Sequence, residues 1–230
     1  MKWTYLIINI AAIFVPFIYS FHPKILFYKQ WKFFLPTLLI VSAIFIIWDV
    51  IFTANGIWWF NENYISGFYI FNLPIEEILF FICIPYACAF TYYCFKKFLT
   101  LKFFNNKSRY ISIIVITGLL ISGIIHFDKA YTVTTFLSLA IVLTIVTFIL
   151  KQNWLGNFYF TFMILLIPFF IINGILTGTG PDAPVVFYNE NEIIGIRIMT
   201  IPVEDIFYGM ELILLNILGM EILNKLSLKK

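Results

Sequence analysis

Two short stretches place adjacent acids just behind a proline at the head of an apolar run: Pro74-Ile75-Glu76-Glu77 and Pro202-Val203-Glu204-Asp205. Close carboxylates are suited to moving protons, because burial and like charge keep one member of a pair protonated while its neighbour is ionised. The chemistry open to them is proton donation and abstraction, in an enzyme or in a proton-coupled carrier. A single copy has an ordinary explanation. Proline in the first helical turn has no amide hydrogen to satisfy, and the helix dipole favours acids there. A second copy weakens that account, since ionisable groups at the rim of a membrane core are costly and tend to serve function.

The copies belong to a longer repeat. A shift of 128 residues lays 60–81 over 188–209 without a gap, and nine of the 22 positions are identical. The matches are Asn61, Glu62, Asn63, Ile65, Gly67, Ile70, Pro74, Glu76 and Ile78, each with its own residue type 128 positions on. The flanks have diverged: 33–52 match 161–180 at four of 20 positions, and 82–95 match 210–223 at none. A recent duplication would leave similarity throughout, so this patch has been held while its surroundings changed.

Composition says what scaffold carries these acids. The 230 residues are 62% hydrophobic and 12% charged, where a soluble domain carries about a quarter charged residues. Mean hydropathy is +0.95. Apolar runs reach the roughly 20 residues that cross a bilayer core. Hydropathy predicts seven transmembrane helices, near 3–21, 33–52, 74–95, 110–127, 131–150, 157–177 and 202–224. The first run lacks a small-residue cleavage site and reads as a retained helix. No linker or low-complexity tract suggests a soluble appendage. Cys83, Cys88 and Cys94 share one apolar run without metal-ligand spacing and read as buried small side chains.

Seven spans sort the charges. Twelve of the 15 Lys and Arg residues fall on the side of the 22–32, 96–109 and 151–156 segments and the C-terminus; Lys2, Lys129 and Arg197 fall on the other. The positive-inside rule makes the basic side cytoplasmic, with the N-terminus out and the C-terminus in, in the cell membrane. Ten of the 12 acids lie on the opposite side, with Glu211 and Glu221 deeper in the last helix.

Helices one to three then correspond to five to seven, an even offset that keeps direction, and helix four has no counterpart. The chain reads as an all-α membrane protein with a 3+1+3 parallel tandem repeat: 1–109, a linking helix at 110–127, and 128–230. Both acidic segments enter from one side, so four carboxylates converge between the halves. Helix four brings His126 and Asp128 to that level. His126 reads either as a proton relay or as a residue bonded to its own turn. Asn61 and Asn189 are expected to orient loop backbone or carboxylates, and Gly67 and Gly195 to permit turns. Trp58, Trp59, Phe60 and Tyr188 are substrate-lining candidates whose ring faces attract positive charge, although such rings also form interfacial belts. Glu211, seven residues beyond Glu204, falls on roughly the same helix face.

These residues resemble the lycopene cyclase domain family, integral-membrane carotenoid cyclases without a dinucleotide-binding fold. The resemblance rests on the paired Pro-x-Glu-acid starts, on Asp49 to Asn61, on His126 to Thr132 and on Val186 to Asp205, and it covers nearly the whole chain. It implies a lycopene β-cyclase, an intramolecular lyase or isomerase that converts the ψ ends of lycopene, via γ-carotene, to β-ionone rings. It implies Glu76, Glu77, Glu204 and Asp205 as catalytic residues in proton donation, proton abstraction and cation stabilisation. His126, Asp128, Asn61 and Asn189 would support them. No metal and no cofactor are expected, with a need for reduced flavin left open. The expected partners are a lipophilic carotenoid from the bilayer and other enzymes of carotenoid synthesis, with no nucleic acid; homo-oligomerisation is left open.

Rival readings fare less well. A retinal protein needs a lysine deep in its last helix, and helix seven has none before Lys225. A b-type haem protein needs facing histidines within helices, and an intramembrane protease of the Glu-Glu type needs further histidines, but the chain has only His22 and His126. A proton-coupled transporter with carboxylates at the repeat interface is the alternative, against which both acid pairs lie on one side of the membrane.

Overall fold

In lipid a chain must satisfy its backbone groups internally, so long apolar runs become helices. A computed structural model describes residues 2–99 and 102–228, without the side chains of Lys102, Phe103 and Asn105. Lys229, Lys230 and the Lys102 side chain, counted above on the basic side, lie outside the described residues. The helices are α1 (Thr4–Tyr19), α2 (Trp31–Ala54), α3 (Ile75–Phe98), α4 (Lys102–Ile125), α5 (Ala130–Thr144), α6 (Leu155–Thr177) and α7 (Val203–Ser227). Among the described residues six helical segments are long and apolar enough to cross a membrane, and α1, with 16 residues, is a shorter apolar helix. Its length is about 24 Å at 1.5 Å per residue. Helix α4 begins eight residues before the apolar run at 110, at Lys102. Hydropathy registers what lipid tolerates, whereas a helix needs only its own backbone bonds and continues through polar residues. Helix α5 runs on into a π-helical turn, Ile145–Ile149.

Short strands organise one end of the bundle: β1 (Trp58–Phe60), β2 (Tyr69–Ile70), β3 (Leu73–Pro74), β4 (Val186–Tyr188), β5 (Arg197–Ile198) and β6 (Ile201–Pro202). Strands β1 and β4 pair antiparallel, with Trp59 opposite Phe187, and so tie the two long loops together. The hairpins β2–β3 and β5–β6 each deliver a proline to the start of a central helix, Pro74 to α3 and Pro202 to α7. Both prolines sit at the N-cap with extended backbone, one position earlier than the first helical residue. Backbone bonds repeat across the halves: Asn61 N donates to Val185 O and Asn189 N to Ile57 O, each at 2.8 Å. Tyr5 N reaches Tyr64 O at 3.2 Å, and Tyr131 N reaches Glu192 O at 3.1 Å. The starts of α1, α3, α5 and α7 thus gather around both loops.

Helices α3 and α7 form the centre. Each packs on the other and on both α2 and α6; α1 lies against α3, α5 against α7, and α4 against α5 and α6. The larger core, around Phe27, Phe34, Tyr92, Leu143, Phe158 and Leu214, fills the bundle away from the loops. A second cluster, with Tyr5, Phe52, Trp58, Ile65, Tyr131 and Ile193, lies under them. Cys83 and Cys88 are buried, and Cys94 is partly so; all three are free thiols.

Candidate active site

A cavity of about 540 Å³ lies between α1, α3, α6 and α7. Its polar end, at the loop end of these helices, carries Tyr5, Asp49, Glu77, Tyr131, Asn173, Tyr188, Asp205 and Tyr208. Nearly all the remaining lining is apolar.

Adjacent residues on a helix point about 100° apart, so the two acids of each motif cannot face the same way. The first acid of each pair turns back to its own loop. Glu76 Oε1 accepts the Ser66 amide at 2.7 Å, and Glu204 Oε1 accepts the Ile194 amide at 2.7 Å. Glu204 also takes the Thr132 hydroxyl at 2.6 Å. Both glutamates are fully buried and neither lines the cavity. Each loop needs a glycine with positive φ shortly after its Asn-Glu-Asn start, Gly67 at 90° and Gly195 at 84°, a conformation that costs glycine little.

The second acid of each pair faces the cavity, where a tyrosine from the first helix of the same repeat holds it. Tyr5 Oη donates to Glu77 Oε2 at 2.5 Å, and Tyr131 Oη donates to Asp205 Oδ1 at 2.8 Å. The duplication has therefore copied a tyrosine–carboxylate pair as well as an acidic motif. The copies are then elaborated differently. Asp205 Oδ2 accepts Tyr188 Oη at 2.8 Å and Asn173 Nδ2 at 2.9 Å. Burial and the neighbouring Asp205 carboxylate push the Tyr188 phenol well up from its ordinary value, so it remains a donor. Glu77 has Tyr5 as its one hydrogen-bond partner among the described residues.

A third acid joins them. Asp49, near the end of α2, accepts Trp58 Nε1 and, at 3.3 Å, Thr53 Oγ1 on one oxygen. Its other oxygen and the Tyr208 hydroxyl are buried without a hydrogen-bond partner among the described residues. Glu77 lies within electrostatic range of both Asp49 and Asp205. Aromatic rings enclose this chamber: Trp58 meets Tyr131 at 5.0 Å edge-on, and Tyr208 meets Trp48 at 5.3 Å and Phe45 at 5.0 Å. Such rings offer negative faces to a cation. Among the described residues no three His, Cys, Asp or Glu side chains converge as metal ligands.

Trp58, Phe60 and Tyr188 line the cavity. Trp59 does not. Side chains alternate along a strand, so Trp59 faces outward, 47% exposed, and stacks on Phe187 at 5.7 Å. Asn61 and Asn189 brace loop backbone and touch no carboxylate: Asn61 donates to Pro184 O at 3.0 Å, and Asn189 to Gly56 O at 3.4 Å. Their side-chain oxygens accept the Asn63 and Asn191 amides at 3.1 and 3.0 Å. His126 bonds the Ser122 carbonyl of its own helix at 3.0 Å, Asp128 is exposed, and neither reaches the cavity. Glu211 takes the Ser138 hydroxyl at 2.6 Å and lies outside the lining.

Sequence reasoning missed Asp49, Tyr5, Tyr131, Asn173 and Tyr208 as site residues. An acid inside the second apolar run, without a basic neighbour on its helix, was the available signal for Asp49. The tyrosines were hidden by register, because Tyr5 and Tyr131 are 126 residues apart whereas the motifs are 128 apart.

A sequence profile for the family described as Lycopene cyclase matches the chain twice, over residues 2–95 and 128–223. No curated protein and no solved structure matches. The profile matches start 126 residues apart and end 128 apart, the same change of register that separates the tyrosines from the acidic motifs.

Proposed function

The chain belongs to the lycopene cyclase family, and from that premise we propose that it is a lycopene β-cyclase whose chemistry takes place between Glu77, Asp205 and Asp49. The family supports a membrane-bound carotenoid cyclase in general terms. The finer reading rests on one observation: two copied tyrosine–carboxylate pairs open into a single cavity that is otherwise apolar.

The reaction adds a proton to the terminal double bond of a ψ end, which leaves a tertiary cation. The π electrons of the next double bond close a six-membered ring onto that carbon, and the charge moves to the ring. Loss of a proton from the adjacent ring carbon leaves the β double bond. One proton enters and one leaves, and no electrons are gained or lost, so carboxylates suffice for the acid–base work. Glu77, with one donor, has an oxygen free to carry the incoming proton. Asp49, which lines the same cavity and has one oxygen without a hydrogen-bond partner among the described residues, is the base that we assign to the outgoing one. In close carboxylates the proton belongs to the group and can be redistributed between turnovers. The three donors on Asp205 complement a charged carboxylate, which with the faces of Trp58, Tyr131 and Tyr208 stabilises the cation. Glu76 and Glu204 hold the loops that roof the chamber.

In the bilayer, the reading is seven spans in a 3+1+3 parallel arrangement, with the acidic loops outside and the basic segments in the cytoplasm. The exchange of equivalent backbone bonds between the loops and the clustering of basic residues support it. An apolar lining suits a hydrocarbon and leaves a transported polar solute without a path.

The test is expression in a lycopene-accumulating bacterium beside Glu77→Gln and Asp205→Asn. Ring-bearing carotenoids from the wild type, with unchanged lycopene from both variants at equal membrane levels, are expected. A membrane-inserted wild type that leaves lycopene intact would overturn the reading.

A further inference from the structure

The duplicated fold contains two equivalent paths from the chamber into the bundle, and the cavity follows one. At the chamber, α3 and α7 contribute matching positions: Glu77 with Asp205, Phe80 with Tyr208, and Ile84 with Leu212 all line the space. Deeper, the symmetry ends. On α3 the lining continues through Ala87, Cys88 and Thr91, while the equivalent α7 positions, Leu215, Asn216 and Gly219, do not contribute. The cause is visible at Gly219. A Cβ there would stand 2.3 Å from Thr37 Cγ2, so the missing side chain lets α2 close directly on α7. Thr91 holds the equivalent place on α3, and the space between α3 and α6 stays open. From Glu77 to Thr91 this arm runs about 21 Å along the helix. It also opens sideways, because Ala11 of α1 and Ile171 of α6 line it and are exposed on the outer, apolar face of the bundle.

Resting on the cyclase reading, we infer that a single linear chain occupies the α1–α3–α6 arm and that one end is cyclised per binding event. A two-ended substrate must therefore leave after its first ring and rebind reversed. Ala87 sets the width of the arm: leucine at that position, as its equivalent Leu215 has, fills the path of the chain.

The test supplies purified wild-type protein in lipid with isotopically labelled lycopene and an excess of unlabelled monocyclic γ-carotene. Release predicts that label collects in the γ-carotene pool and that labelled β-carotene falls at least several-fold against the untrapped reaction. Label passing into β-carotene at the untrapped rate would overturn the inference while leaving the cyclase reading intact. A wild type that stops at γ-carotene supports one arm that rejects a ringed tail. Absence of any ringed product would sink the cyclase reading itself, and this inference with it. Separately, Ala87→Leu should consume lycopene at least tenfold more slowly than wild type at equal membrane level and thermal midpoint. Unchanged consumption by Ala87→Leu would place the chain elsewhere. Should that variant fail to insert, the trap decides alone.

Discussion

Asp205→Asn and Glu204→Gln replace neighbouring carboxyl groups with amides and are expected to differ in rate. Asp205 accepts hydrogen bonds from Tyr131, Tyr188 and Asn173. In the asparagine variant the oxygen keeps Tyr131, Tyr188 can turn to accept, and the new amide nitrogen meets the Asn173 donor head-on. Bonds to a charged group contribute about 1.5–3 kcal/mol and neutral ones about 0.5–1.5, so one lost and two weakened bonds cost about 3 kcal/mol. At about 2–4 °C per kcal/mol for a chain of this size, the thermal midpoint falls by roughly 6–12 °C. On the proposed mechanism, loss of the carboxylate beside the developing cation costs about 10²–10³ in rate. In Glu204→Gln the oxygen still accepts the Ile194 amide and Thr132 hydroxyl, so about 1–2 kcal/mol of stability is lost. Its rate should stay within about threefold of wild type, because Glu204 does not face the cavity. The assay pairs initial rates of ring formation in lipid nanodiscs with thermal unfolding followed by near-ultraviolet circular dichroism. Equal rate losses in the two variants, or a folded Asp205→Asn within threefold of wild type, would refute the division of roles.

Three further outcomes follow from the same geometry. Tyr5→Phe removes the donor to Glu77, a bond that strengthens as Glu77 gives up its proton, and should slow ring formation about tenfold, matching the roughly 1–1.5 kcal/mol by which a bond to a charged acceptor exceeds a neutral one, with little change in membrane level. Trp59→Ala loses a stack on Phe187 outside the cavity, about 0.5–1.5 kcal/mol, and its ring-formation rate should stay within about twofold of wild type. Gly219→Ala forces a methyl against Thr37 and should cost about 1–3 kcal/mol by overpacking, seen as a lower thermal midpoint that a compensating Thr37→Ser or Thr37→Ala change partly restores.

Much of this protein can be read along the chain. Apolar run length is enough for a multi-span helical fold, since lipid leaves the backbone no partner but itself. The ungapped repeat from 60 to 81 locates both acidic starts and the loops that precede them. What it cannot convey is direction around a helix axis in a particular packing. Glu76 and Glu77 are equivalent letters in a row, yet a turn of about 100° sends one to a loop amide and the other into the cavity. Strand alternation separates Trp58 from Trp59 in the same way. Asp49 enters the site because α2 ends beside β1, and Tyr5 and Tyr131 because α1 and α5 start under the loops. The hollow arm depends on contacts farther apart still, with Gly219 admitting Thr37 on one side and Thr91 standing in its place on the other. Repeated sequence carries equivalence; which of two equivalent spaces stays open is a matter of how closely neighbouring helices can approach.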